Sequence, residues 1–216
     1  MNTPRPLVVG LVGGVGSGKS AAAAAFARRG ARVIAADELG HEALRQPAIH
    51  DEVARLWGKE VLDAQGQIDR RKLAAVVFGN EDARRALERL THPWIRSRLE
   101  EEIARARKEG ARLIVVDAAV LLEAGWDGPC DRLVFVEAPP EARLARATQK
   151  RGWSAGDWEG RELAQLPLTE KHARADHVLD NSSTLEHLGR QVEDLMHRWG
   201  LVPAESSAFA TPPSPS

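Results

Sequence analysis

Gly10-Leu11-Val12-Gly13-Gly14-Val15-Gly16-Ser17-Gly18-Lys19-Ser20 is the stretch on which the fold turns. From Gly13 onward it fits G-x-x-x-x-G-K-[ST]. Such a loop curls so that several backbone N–H groups converge on one anion, and glycine permits the positive φ angles this requires. The helix that follows points its positive dipole end at the same place. Lys19 adds a full charge at the β/γ-phosphates of a nucleoside triphosphate, and the Ser20 hydroxyl can ligate Mg²⁺. The alternative is a glycine-rich turn between a strand and a helix. The context argues against it: Leu7 to Val12 reads as a buried strand, and Ala21 to Arg29 as a strong helix former stopped by Gly30.

Further short apolar runs lie at Arg32 to Ala36, Leu113 to Val116, Leu133 to Val136 and His177 to Leu179. They are separated by segments of helical spacing, so the sequence predicts a parallel sheet covered on both faces. The long segment Glu81 to Lys108 carries apolar residues at helical spacing, and His92-Pro93 is expected to break it in two. The expected organisation is a single domain over 1–200. Its core covers about 5–38, 110–140 and 173–200, with a helical substrate subdomain at about 39–109 and a lid at about 141–172. Residues 201–216, with three prolines in the last five positions, are expected to be a disordered tail.

Composition narrows the function classes. The 216 residues are 43% hydrophobic and 28% charged, a globular balance, and 30 Lys+Arg against 31 Asp+Glu give a net charge of -1. That balance does not suggest nucleic acid or an anionic membrane as the main partner. The single Cys130 rules out an internal disulfide and a cysteine-based zinc site. No apolar run is long enough to span a bilayer, and the N-terminus lacks a signal pattern, so a cytoplasmic protein is expected. The six tryptophans, Trp57, Trp94, Trp126, Trp153, Trp158 and Trp199, are read mostly as packing residues.

In an open α/β sheet the ligand crevice lies outside the carboxyl ends of the strands. Asp37, Asp117 and Asp180 fall at predicted strand ends and should share one edge with Gly13. Asp37 is set to accept or orient the proton of an acceptor hydroxyl, and Asp117 to stand near Mg²⁺. For each, helix capping or a turn is the competing reading, and the two assignments could be exchanged. Arg143, Arg146, Lys150 and Arg151 lie near Gly152 and Gly156. Arg143, Arg146 and one of the adjacent pair Lys150-Arg151 stand three to five residues apart, so several share a helix face, and they form either a solvated face or a mobile basic lid that meets the transferred phosphoryl group.

Beyond the loop, the chain resembles the dephospho-coenzyme A kinases from about Leu7 to Leu188. The matching blocks are Val33-Ile34-Ala35-Ala36-Asp37, then Ile68 to Leu73 with Val77-Phe78, and Leu87-Glu88-Arg89-Leu90-Thr91-His92-Pro93. Val116 to Glu123, Gln165 to Lys171 and Ala175-Asp176-His177-Val178-Leu179-Asp180-Asn181 complete the set. The resemblance implies a P-loop, nucleoside monophosphate kinase-like α/β fold: a five-stranded parallel sheet flanked by helices, a helical substrate subdomain and a helical lid. It implies Mg²⁺-dependent transfer of the γ-phosphate of ATP to the ribose 3′-hydroxyl of dephospho-CoA, by a monomer or small homo-oligomer acting on small molecules. By the same resemblance, Gly14, Gly16, Ser17, Gly18, Lys19, Ser20 and Ala21 would hold the ATP phosphates, and Asp37 would be the base. Arg70 and His92 would lie on the substrate side, Arg146 would be the lid arginine, and Asn181 would sit near the adenine. His92 could instead be a hydrogen-bonded turn residue, Arg70 an exposed helix residue, and Asn181 a turn residue. The chain departs from the family pattern at Val12, Ala21, Ala35, Ala119 and Ser183, and the second lid cation falls on Lys150 or Arg151. Another small-molecule or nucleoside monophosphate kinase, or an ATP-dependent switch without acceptor chemistry, is the competing functional reading.

Overall fold

The computed structural model describes residues 5–77 and 79–201, without the side chains of Lys150 and Arg151. Phe78, the choice between Lys150 and Arg151 as second lid cation, and residues 202–216 of the expected 201–216 tail therefore lie outside the described residues, whereas Leu201 packs against the core. Five strands carry the core: β1 (Leu7–Val12), β2 (Arg32–Ala35), β3 (Leu113–Asp117), β4 (Arg132–Glu137) and β5 (His177–Asp180). All pair in parallel, in the order β2-β3-β1-β4-β5, so β1 is central and its C-terminal end opens at the middle of the sheet edge.

Alternate residues of β1 feed two separate cores, as the period of a strand requires. Val8 and Val12 join Ile34, Ile114, Val116 and Phe135 on one face, with the helices between β2 and β3. Val9 and Leu11 join Val115, Val134 and Leu179 on the other. There they meet Ala22 and Phe26 of α1 (Lys19–Ala27) and Leu188 and Val192 of α9 (Leu185–Arg198). Burial on both sides explains why the strands read as unbroken apolar runs.

Among the described residues, four α-helices and a 3-10 turn at Gly58–Val61 separate β2 from β3: α2 (Ala36–Ala43), α3 (Pro47–Trp57), α4 (Arg70–Val77) and α5 (Glu81–Lys108). Three more, α6 (Pro140–Arg151), α7 (Ala155–Leu163) and α8 (Leu168–Ala173), separate β4 from β5. The expected break at His92-Pro93 does not occur, since α5 runs straight through Pro93. An interior proline removes one backbone donor and costs about 3 kcal/mol. Leu87 and Leu90 before it, packed against the core, and buried Ile95, Leu99 and Ile103 after it, bind both halves to the same core, and that burial outweighs the local penalty. Among the described residues no helix is long and apolar enough to cross a membrane.

Candidate active site

The phosphate loop follows the central strand, and α1 starts from it without a side-chain cap. Gly16 and Gly18 have φ of +79° and +97°, conformations that L side chains rarely adopt. Crowding adds to the requirement: a Cβ on Gly16 would collide with the Arg143 carbonyl, and one on Gly18 with the Asn181 amide. Lys19 folds back under the loop, its Nζ donating to the carbonyls of Gly13 (3.0 Å) and Gly14 (3.1 Å). Burial pushes its ammonium down to about 8 from 10.5; Asp117, Asp37 and Glu123 pull it back up, while Lys171 pushes it further down. Lys19 and the carboxylates predicted from the ends of β2 and β3 therefore share one electrostatic neighbourhood.

Asp117 is the last residue of β3, in register with Leu11 on one side and Ala35 on the other. Asp37 is exposed in the first turn of α2, whose N-cap is Ala35, so it is not the capping residue. Asp180 ends β5 and accepts from the Ser182 N–H at 2.8 Å, a turn-forming bond that matches the turn reading of that residue.

The loop is braced from behind. Asn181, 3% exposed, donates its side-chain amide to the Ser17 carbonyl at 2.8 Å. Arg146 on α6 spreads its guanidinium over the carbonyls of Ser17 (3.1 Å), Gly16 (3.4 Å) and Asn181 (2.7 Å). Both residues thus fix the backbone that presents its amides. At the base of α8, Lys171 is 2% exposed; its ammonium lies 2.7 Å from Glu123 Oε1 and 2.7 Å from Gln165 Oε1. No role for this pair emerged from the sequence, although both residues stand in the matching blocks. An acidic residue directly after the apolar pair Leu121-Leu122 was the available signal.

On the other side of the loop, Arg70 opens α4 and bonds His41 of α2. Burial and the Arg70 charge lower the His41 pKa, and Asp37 opposes them, so Asp37 and Arg70 meet around this unanticipated histidine. His92 lies inside α5 rather than in a turn, and its ring meets buried Trp126 edge-on at 4.9 Å. Burial lowers its pKa, which favours the neutral ring. Cys130 is not a candidate nucleophile, because burial pushes its thiol up to about 12.

No cluster of three or more His, Cys, Asp or Glu that could hold a metal exists among the described residues. Ser20, next to Lys19 in the chain, and Asp117, whose charge acts on Lys19, are oxygen donors that fit a Mg²⁺ ion carried mainly by nucleotide phosphates and water.

A parallel five-stranded sheet with this lysine-bearing loop at its central strand defines a P-loop kinase. The solved structure of TT1252 from Thermus thermophilus is 35% identical, covering 90% of this chain and 98% of that one, with a TM-score of 0.76. Shikimate kinase from Acinetobacter baumannii, 14% identical with a TM-score of 0.52 over 92% of this chain and 97% of its own, shares the fold alone. The family model described as dephospho-CoA kinase matches residues 7–187. The dephospho-CoA kinase of Anaeromyxobacter dehalogenans is 40% identical over 191 residues, 88% of this chain and 90% of that protein. That of Geobacter metallireducens is 41% identical over 187 residues, 86% of this chain and 93% of that one. The chain belongs to the dephospho-CoA kinase family, and it is an ATP-using phosphotransferase that acts on an alcohol group.

Proposed function

We propose that the chain transfers the γ-phosphate of ATP to the 3′-hydroxyl of dephospho-CoA, giving coenzyme A and ADP. The observation that carries this reading is the placement of Lys19 at the start of α1, Asp37 in the first turn of α2 after β2, and Asp117 at the end of β3, along one edge of the sheet. The amides of Gly14 and of Gly16 to Ala21 hold the phosphates, with Lys19 at the β/γ end. The Asp37 carboxylate takes the proton of the 3′-hydroxyl as the new O–P bond forms and the bond from the γ-phosphorus to the bridging oxygen breaks. Lys19 and Arg146 offset the charge on the phosphoryl oxygens in flight. Mg²⁺, held through Ser20 and Asp117, would supply further charge neutralisation at the phosphates. Arg70 and His92 face the acceptor, in a substrate subdomain formed by α2 to α5, and α6 to α8 act as the lid. Asn181 holds the loop on the adenine side of ATP. The same reading carries a cytoplasmic monomer or small homo-oligomer working on small molecules.

The test is ATP consumption by the purified chain with dephospho-CoA, with AMP, or with no acceptor. Turnover that depends on dephospho-CoA is expected. Turnover with AMP alone marks a nucleoside monophosphate kinase, and equal turnover without acceptor marks an ATP-dependent switch.

A further inference from the structure

Val15, at the tip of the phosphate loop, has both sides of its peptide taken by α7. Its N–H donates to Glu162 Oε2 at 3.0 Å, and its carbonyl accepts from Trp158 Nε1 at 3.1 Å. Those side chains are four residues apart and so share one helix face. The other carboxylate oxygen of Glu162 accepts from Arg143 of α6. The Arg143 guanidinium also lies over the Trp158 ring, 5.1 Å from its centre. It sits directly on Gly14, where a Cβ would strike its NH1. Arg143 is only 5% exposed, and its Nε–H has no partner among the described residues. The same residue lines a cavity of about 680 Å³ that reaches Gly14, Thr169 and His172.

Lys19 identifies the end of the loop involved. Its ammonium rests on the carbonyls of Gly13 and Gly14, and in loops of this pattern the lysine reaches the β/γ-phosphates. The Gly13–Val15 rim therefore faces the terminal phosphate. At that rim a carboxylate now occupies one amide and one buried guanidinium. A phosphate would satisfy both donors with more charge and more acceptor oxygens. The orphan Arg143 Nε–H is a donor that the single carboxylate leaves unused.

We propose that Arg143 is a further phosphate-binding residue of this kinase, directed at the γ-phosphate of ATP, and that Glu162 is a placeholder that occupies Arg143 and the Val15 amide until that phosphate displaces it. The proposal rests on the reading that ATP lies in the loop. A placeholder competes with its replacement, so the signs are fixed. Removing the Glu162 charge tightens ATP binding and leaves ADP unaffected, because ADP lacks the competing group. Removing Arg143 weakens ATP more than ADP and leaves only that part of the Glu162 benefit which the freed Val15 amide supplies.

The experiment is calorimetric binding of ATP and of ADP, without acceptor, to the wild-type chain, Glu162→Gln, Arg143→Gln, Arg143→Lys and the Glu162→Gln/Arg143→Gln double variant. The expected result is ATP affinity raised several-fold in Glu162→Gln and lowered by about tenfold in Arg143→Gln, the scale of one charged hydrogen bond. Arg143→Lys, which keeps the charge and loses the fork, should fall between wild type and Arg143→Gln. The double variant should bind ATP less tightly than Glu162→Gln and no more weakly than Arg143→Gln, because the Val15 amide is still released. Weaker ATP binding in Glu162→Gln, or equal shifts for ATP and ADP, would overturn the proposal while leaving ATP in the loop. Lys19→Ala run alongside separates the two failures: if it binds ATP as wild type does, the loop reading falls and the proposal with it.

Discussion

Asn181 donates its side-chain amide to the carbonyl of Ser17 at 2.8 Å, joining the end of β5 to the middle of the phosphate loop. The bond is buried, and the Arg146 guanidinium grips the Ser17 and Asn181 carbonyls beside it. The loop amides can converge on an anion only if the loop carbonyls are held elsewhere, and this pair holds those of Ser17 and Gly16. Asn181→Ala leaves the Ser17 carbonyl short of one donor, a loss of about 1–3 kcal/mol. Asn181→Asp sets an acceptor against an acceptor and adds a negative charge beside the anion site. The expected order of ATP affinity by calorimetry is wild type, then Asn181→Ala, then Asn181→Asp. An Asp variant that binds as tightly as wild type contradicts the bracing role.

The Lys171–Glu123 pair is closed to solvent at the lysine, and Glu123 also accepts from the Leu166 N–H at 3.0 Å. Lys171→Met leaves Glu123, whose side chain is 17% exposed, without its cation, a loss of about 3 kcal/mol, the low end for buried pairs. Adding Glu123→Gln removes that unpaired charge while keeping an acceptor for Leu166, so it should restore part of the loss. Urea denaturation checks this. A single variant as stable as the parent, or a double variant less stable than the single, contradicts it.

Burial holds the free Lys19 ammonium near pKa about 8. A bound triphosphate favours the charged form, so the pKa in the complex is higher and binding takes up a proton above about pH 8. ATP affinity should therefore be nearly flat below about pH 7 and fall with rising pH above 8, by up to about tenfold per unit. Calorimetry in buffers of differing ionisation heat reads both the affinity and the proton uptake. A flat profile to about pH 9.5 would show that the buried ammonium does not govern binding.

Pro93 removes from α5 the donor that would meet the Arg89 carbonyl, and Pro93 itself is exposed. Pro93→Ala restores that bond without touching the core, so the melting temperature should rise. A fall in melting temperature would mean that the ring contributes packing beyond its local penalty.

What could be read from the sequence follows how far apart the partners lie. The phosphate loop is one contiguous motif, and Lys19 reaches carbonyls five and six residues back, so its site was legible from local chemistry. Asp37 and Asp117 were legible because apolar runs ending in Asp report the sheet edge. The bonds of Val15 to Trp158 and Glu162 span 143 and 147 residues, and no local pattern signals them. Trp158, placed in the lid by the sequence without a partner, donates its indole N–H to the loop. Pro93 was misread for the converse reason: a local rule predicted a break, and the long-range burial of Ile95, Leu99 and Ile103 overrode it.

The central claim is that a carboxylate beside the phosphate loop activates an acceptor alcohol. Steady-state kinetics of Asp37→Asn with ATP and dephospho-CoA, set beside its ATP affinity by calorimetry, test it most directly. The account predicts a kcat lowered by about 100-fold or more with ATP affinity nearly unchanged. A variant that turns over at the wild-type rate would contradict it.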